Sequence, residues 1–185
     1  MALICPEKIL CIPAEEIFRH YGFEHQVGKT IEELQELEDA LEPAAFFMDV
    51  GQSCPATSLH PILTECADVI IMCAQLLRLD AVLYPVDLKP RARTTMNLAH
   101  YVRVKVLSKP MGPLDTGFHL SRSLIDEAIR VALAISSKER LQEEILFKIR
   151  RQEGRIAVEQ EAAKAREEAE RKRRAAARAV ELEAK

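Results

Sequence analysis

The sequence predicts an all-α protein, and three observations carry that prediction. Aromatic residues make up only 5% of the 185-residue chain, Trp is absent and there are six glycines, a poor composition for an aromatic-rich sandwich or barrel. Apolar residues recur at intervals of three and four through most of the first 152 positions, the helical period. Beyond about residue 153 the chain is mostly Ala, Glu, Arg and Lys, all strong helix formers. With 48% hydrophobic residues there is enough apolar surface for a core.

The elements follow in order. Pro13 opens a short helix, Ala14 to Tyr21. A second helix runs to about Leu41 and ends before Pro43, and a loop with Gly51 and Pro55 follows. A third begins near Ser58–Pro61 and runs to about Leu79. Pro85 and Pro90 mark a loop, and a fourth helix spans about Thr95 to Leu107. Turn residues make Lys109 to Gly117 a loop. A fifth helix covers about Ser121 to Ile135, and a sixth starts near Ser136–Ser137 and continues into the charged tail. There is no internal repeat. The expected organisation is a helical domain over 1–152, with an insert at about 80–121, and a charged helical tail over 153–185. That tail carries eight acids and nine bases, few large aliphatic residues and no lasting heptad, so a solvated helix is expected rather than a coiled coil.

Composition also excludes. A net charge of −3 argues against a nucleic-acid-binding surface over the whole chain. No apolar run approaches the roughly 18–20 residues that cross a bilayer. The opening MALICPEKILCIPAEE lacks the basic-then-apolar order of a signal peptide, so a cytoplasmic location is expected and no membrane partner. The five cysteines include no Cys-x-x-Cys pair. Cys66 and Cys73, seven apart, read as buried free thiols on one helical stripe, and a zinc site at Cys54 and His60 has no supporting spacing.

The informative residues are acids. In Thr30-Ile31-Glu32-Glu33-Leu34-Gln35-Glu36-Leu37, the apolar stripe is Ile31, Leu34, Leu37 and Leu41, and Glu32, Glu33 and Glu36 fan out beside it. Glu33 and Glu36 are three apart, so both carboxylates can reach one point. The plain alternative is a capping box, Glu33 folding back on the Thr30 amide. On the third helix, a wheel with Glu65 at 0° puts Leu76 at about 20°, Val69 at about 40° and Met72 at about 340°. Glu65 therefore lies inside the apolar arc and Asp68 on its edge, with Ala67 and Ala74 on the far side. Burying an unpaired carboxylate costs several kcal/mol, so something must neutralise these acids. If the two helices pack, Glu33, Glu36, Glu65 and Asp68 converge and repel one another unless a cation is present. Oxygen-only ligands select a hard ion, Mg²⁺ or Mn²⁺, and magnesium commonly completes its shell with phosphates, which points to phosphoryl chemistry. The alternative is a structural salt-bridge cluster using Arg78, Arg130 or Arg150.

At these residues the chain resembles the MazG-like all-α nucleoside triphosphate pyrophosphohydrolases, whose signature is E-E-x-x-E followed by E-x-x-D. Here it reads Glu32-Glu33-Leu34-Gln35-Glu36 and Glu65-Cys66-Ala67-Asp68. The segment His20-Tyr21-Gly22-Phe23-Glu24-His25-Gln26 before the first motif, and Ala67-Asp68-Val69-Ile70-Ile71-Met72 around the second, look like the family context. Phe147-Lys148-Ile149-Arg150-Arg151-Gln152-Glu153-Gly154-Arg155-Ile156 is similar to the closing helix of phage-type members, and the insert is reminiscent of a cyanophage-type group acting on purine deoxynucleotides.

The resemblance implies the helical bundle of that family and Mg²⁺-dependent hydrolysis of a (deoxy)nucleoside triphosphate, leaning to dGTP or dATP, to the monophosphate and pyrophosphate. It implies metal ligands Glu33, Glu36, Glu65 and Asp68, with Glu32 positioning or deprotonating water. It implies Lys148, Arg151 and Gln152 near the phosphates, and Tyr101, His100 or Phe23 at the base. It further implies a homodimer or homotetramer with sites near subunit interfaces, and Mn²⁺ able to replace Mg²⁺. A phosphoribosyl-ATP pyrophosphohydrolase, sharing the superfamily site, and a non-catalytic helical adaptor acting through the tail are the other readings.

Overall fold

The computed structural model describes residues 14–52, 54–76, 88–107 and 120–183, and these form six helices and no strand. They are α1 (Ala14–Tyr21), α2 (Phe23–Asp49), α3 (Ala56–Leu76), α4 (Leu88–Leu107), α5 (Leu120–Ile135) and α6 (Lys138–Glu183). The all-α expectation holds. The expected loop at 109–117, the loop around Pro85, the end of the third helix at 77–79, Arg78, Cys5 and Cys11 lie outside the described residues. The chain forms two compact units, residues 1–149 and 150–185, so α6 begins in the first and continues through the second.

Helix ends follow local chemistry. Gly22, at φ +80°, closes α1 in the left-handed conformation that costs glycine nothing. Gly51, at φ +71°, does the same for α2, where the Gln52 amide donates to the Phe47 carbonyl at 2.8 Å, a Schellman closure. At the start of α6 the Arg140 amide donates to Ser137 Oγ at 3.2 Å, the N-cap expected near Ser136–Ser137.

Proline was a poor guide to helix ends. The expected stop before Pro43 is overturned: α2 continues through Pro43 to Asp49. The missing N–H and the ring's crowding of the Asp39 carbonyl cost about 3 kcal/mol. Leu41 and Ala44, both wholly buried, flank it, and that packing outweighs the local penalty. Pro61 lies inside α3. Pro90, read as loop, is the third residue of α4, where its N–H would have had no helical partner.

In the first unit α2, α3, α5 and α4 form a closed circuit, each packed on two neighbours: α2 on α3, α3 on α5, α5 on α4 and α4 back on α2. Leu34, Leu37 and Leu41 of α2 meet the core of α3, and Leu141, Ile145 and Ile149 of α6 enter the same apolar cluster. Buried polar pairs tie α4 into the circuit. Glu38 on α2 accepts from Arg91 Nη1 at 2.8 Å and from Thr95 Oγ1 at 2.6 Å. His100 Nδ1 lies 3.6 Å from Glu127 Oε1 on α5, and both side chains are 4% exposed. His100 is thus committed to the helix–helix interface.

α3 is the central helix. Ile62, Leu63, Cys66, Ala67 and every residue from Val69 to Leu76 are buried. Ala67 and Ala74 were expected on a solvent side, but both are wholly buried. Their small side chains let a neighbouring helix approach the face opposite Glu65. The segment Thr57–Leu76 is, by length and composition, apolar enough to cross a membrane, contrary to the expectation that no run approaches that length, and 67% of that window is buried inside the structure, as in a core helix. Cys66 and Cys73 are wholly buried free thiols, and burial pushes the Cys73 thiol up to about 12.

Candidate metal centre

The segment Thr30–Leu37 lies inside a helix, not at its start. α2 begins at Phe23, and the buried Thr30 hydroxyl donates to the Gln26 carbonyl at 2.7 Å. The capping-box alternative for Thr30 and Glu33 is therefore overturned. A hydroxyl that bonds one turn back leaves no cap for Glu33 to complete, and the Glu33 side chain is free to turn toward α3.

There it meets Glu36 and Glu65. One carboxylate oxygen from each of the three lies within 4.8 Å of the other two. Glu33 and Glu36 come from successive turns of α2 and Glu65 from the facing turn of α3, so the packing of α2 on α3 assembles the group. Among the described residues this is the one cluster of three or more His, Cys, Asp or Glu with metal-ligand spacing. Glu33 and Glu65 are half-buried and Glu36 is exposed, which gives the cluster a wet side and a dry side.

Its electrostatics are those of acids confined without enough positive charge. Burial, then the neighbouring Asp68 and Glu36, pushes the Glu33 carboxyl up to about 7, against the pull of Lys29. Burial, then Asp68, pushes Glu65 up to about 7, against Lys148. Asp68 is raised by burial as well, with Lys148 opposing. Glu65 Oε2 is buried and has no hydrogen-bond partner. Such an orphaned oxygen costs free energy unless a proton or a cation meets it.

Two lysines border the site. Lys148 of α6 forms an ion pair with Asp68, and the two side chains are 12% and 19% exposed. Lys29 pairs with Glu32 and lies 3.7 Å from Glu33 Oε1. Of the guanidinium alternatives, Arg130 sits 3.6 Å from Glu127 and Arg150 is exposed, while Arg78 lies outside the described residues.

The other expected residues separate into near and far. Glu32, its side chain 59% exposed, is turned to solvent with Lys29 rather than into the trio. Tyr101 donates its hydroxyl to Asp49, at the far end of α2. Asp49 is thirteen residues beyond Glu36, about 20 Å along the helix, so Tyr101 is not brought to the cluster. Arg151 is exposed and Gln152 half-buried, both in the second unit. Phe23, half-buried, opens α2. Sequence reasoning passed over Lys29, although Lys29, Glu32 and Glu33 share one helical surface at spacings of three and four.

The donor set fits a hard divalent cation. It is all oxygen, converges from two rigid helices, and contains one buried oxygen with no other partner. Ligands on Mg²⁺ lie about 2.1 Å from the ion, so adjacent octahedral ligands are about 3.0 Å apart and opposite ones about 4.2 Å, a span close to the 4.8 Å within which the trio lies. Comparisons with protein-family models, curated proteins and solved structures find no match to this chain.

Proposed function

We propose that this chain is a Mg²⁺-dependent nucleoside triphosphate pyrophosphohydrolase of the MazG-like all-α type, with Mn²⁺ able to replace Mg²⁺. The observation that supports the reading most is the trio Glu33, Glu36 and Glu65 gathered within 4.8 Å beside Asp68, with Glu65 Oε2 buried and unmatched. These four carboxylates would hold the metal, which supplies charge neutralisation for a triphosphate and a lowered pKa for a bound water.

The chain's own residues do the rest. Leu34, Leu37, Val69 and Met72, neighbours of the acids along α2 and α3, are buried, and a dry flank of that kind strengthens charge interactions beside it. The exposure of Glu36 leaves the opposite side open to an anionic substrate. Glu32, paired with Lys29 on the wet flank, would have to leave that partner and turn toward the trio to orient or deprotonate water. Lys148, beside Asp68, offers positive charge to phosphates, and Arg151 and Gln152 of the second unit have that role only as the resemblance implies it. The substrate proposed is a deoxynucleoside triphosphate, with dGTP or dATP favoured, the products are the monophosphate and pyrophosphate, and the enzyme works as a cytoplasmic homodimer or homotetramer. Tyr101 is left out of this assignment because its hydroxyl is bound at the far end of α2.

The test is pyrophosphate release from each dNTP and NTP, with and without Mg²⁺. The reading expects metal-dependent turnover that Glu65→Gln abolishes while the helical circular dichroism is retained. No turnover with any nucleotide in Mg²⁺ or Mn²⁺ sinks it. A helical adaptor is the second reading, favoured by the nearly continuous exposure of residues 157–177. It predicts no turnover, and a binding defect on deleting the residues after Ile156.

A further inference from the structure

We infer that Lys148 is the resident counter-ion of the acidic site: in the metal-free protein its ammonium holds Asp68, and an entering divalent cation displaces it and releases Asp68 as a ligand. This rests on the metal-site reading above and adds to it a competition inside the protein.

Three observations lead there. Asp68 is one helical turn beyond Glu65, on the same side of α3, yet it stands outside the trio of acids whose oxygens converge. What holds it instead is Lys148, arriving from a different helix eighty residues later in the chain. The pair is largely out of water, with side chains 12% and 19% exposed, unlike the pair of Lys29 and Glu32 at 39% and 59%. An exposed lysine can leave its partner at little cost, because water takes over. A mostly buried ammonium is screened poorly and interacts strongly with every charge nearby.

The consequence is mutual exclusion. With Lys148 against Asp68, the cluster of four acids carries one interior positive charge and remains short of neutrality, as the raised Glu33 and Glu65 carboxyls register. A divalent ion among Glu33, Glu36 and Glu65 would lie within electrostatic reach of that ammonium, which already acts on Glu65. Like charges at such a distance in a partly dry site repel strongly. The ammonium must therefore withdraw, which its four-carbon stem permits without movement of α6. Asp68 is then free to turn to the metal. Metal affinity is set in part by the cost of this exchange.

The experiment is a titration of the metal-free full-length chain with Mn²⁺, followed by electron paramagnetic resonance, above the pH range in which Glu33 and Glu65 hold protons. Lys148→Gln removes the competitor and is expected to bind Mn²⁺ about tenfold more tightly than the parent. Lys148→Arg keeps the charge and stays near the parent. In an Asp68→Asn background, Lys148→Gln tightens Mn²⁺ binding less than in the parent, because no ion pair is left to break and only the direct charge repulsion is removed. Thermal melts give a second readout: Lys148→Gln lowers the melting temperature without metal, and saturating Mn²⁺ closes the gap to the parent. Should Lys148→Gln fail to fold, NMR of the lysine ammonium groups in the unsubstituted chain reads the same event, with the Lys148 signal assigned through Lys148→Arg and moving on Mg²⁺ addition. A folded Lys148→Gln binding Mn²⁺ as tightly as the parent, or more weakly, or a Lys148 signal indifferent to Mg²⁺, overturns the exchange and leaves the metal site standing. No Mn²⁺ bound by the parent removes the metal site itself, and this inference with it.

Discussion

On α2 and α3, half-buried Glu33 and Glu65 and exposed Glu36 crowd within 4.8 Å of one another, with one interior lysine on the neighbouring Asp68. On the helix from residue 150 to 183, glutamates are more frequent, but Glu168 meets Lys172 at 2.7 Å and Glu170 meets Arg174, each a base one turn on and each pair well exposed. The second region neutralises itself locally, in water, at a gain of about 0.3–0.5 kcal/mol per pair. The first cannot. Lys29 and Lys148 reach Glu33 and Asp68, two bases for four acids, and the half-buried carboxylates are partly shielded from the water that would screen them. What separates a solvated acidic helix from a candidate binding site is therefore not acid content. It is whether the charge is balanced within reach, and at what exposure.

The comparison can be broken most sharply at Glu65. Glu65→Gln removes a ligand and the orphaned charge together, and is expected to reduce metal-dependent turnover by a factor on the order of 10² or more. In metal-free buffer the same variant is expected to be no less stable than the parent, because a buried charge has been removed. Pyrophosphate release and thermal melts check the two halves. A parent-like rate would return the cluster to the bland class of the tail glutamates.

Next in size is the core against which the acids are set. Ile70→Ala, at a wholly buried position on α3, is expected to destabilise the fold by about 2–5 kcal/mol in urea unfolding. Alanine already occupies tail positions such as Ala162 and Ala163, where there is no core to lose.

The pH dependence follows from the raised carboxyls. Glu33 and Glu65 are raised from 4.5 to about 7 in the folded chain, so folding favours their protonated forms. That contribution is fully present below about pH 4.5 and is lost as pH rises through about 7. The metal-free melting temperature should therefore carry a component that falls across this window, and saturating Mg²⁺ should remove it by taking the place of the protons. A melting curve flat in pH and indifferent to Mg²⁺ would count against a charge-starved site.

The smallest effect is expected in the tail. Glu170→Ala, which breaks one exposed pair, should change stability by about 0.5 kcal/mol or less and leave turnover unchanged. A loss of activity there would give the second unit a catalytic role.

Much of the site was legible before any fold was known, because helical periodicity alone assigns a face to each residue. Glu65 among Val69, Met72 and Leu76 was a visible violation of amphipathic pattern, and Glu33 and Glu36 were visibly paired. The rest was not legible for identifiable reasons. Pro43 carries a local signal to stop, and only the burial of Leu41 and Ala44 overrides it. Thr30 and Glu33 spell a capping box, and only the start of α2 at Phe23 cancels it. Glu38 occupies the core stripe at one turn beyond Leu34, but its partners Arg91 and Thr95 lie more than fifty residues away.

By itself the sequence determined that this chain is helical and that several of its acids are set against apolar neighbours. Both are local properties, fixed by the 3.6-residue repeat and by side-chain propensity. Tertiary structure decided which acids share a volume and which base answers them. It gathered Glu33 and Glu36 with Glu65, turned Glu32 and Tyr101 elsewhere, and set Lys148 on Asp68. Coulomb interaction depends on distance through space and on the water excluded from it, and neither is written in the spacing of residues along a chain.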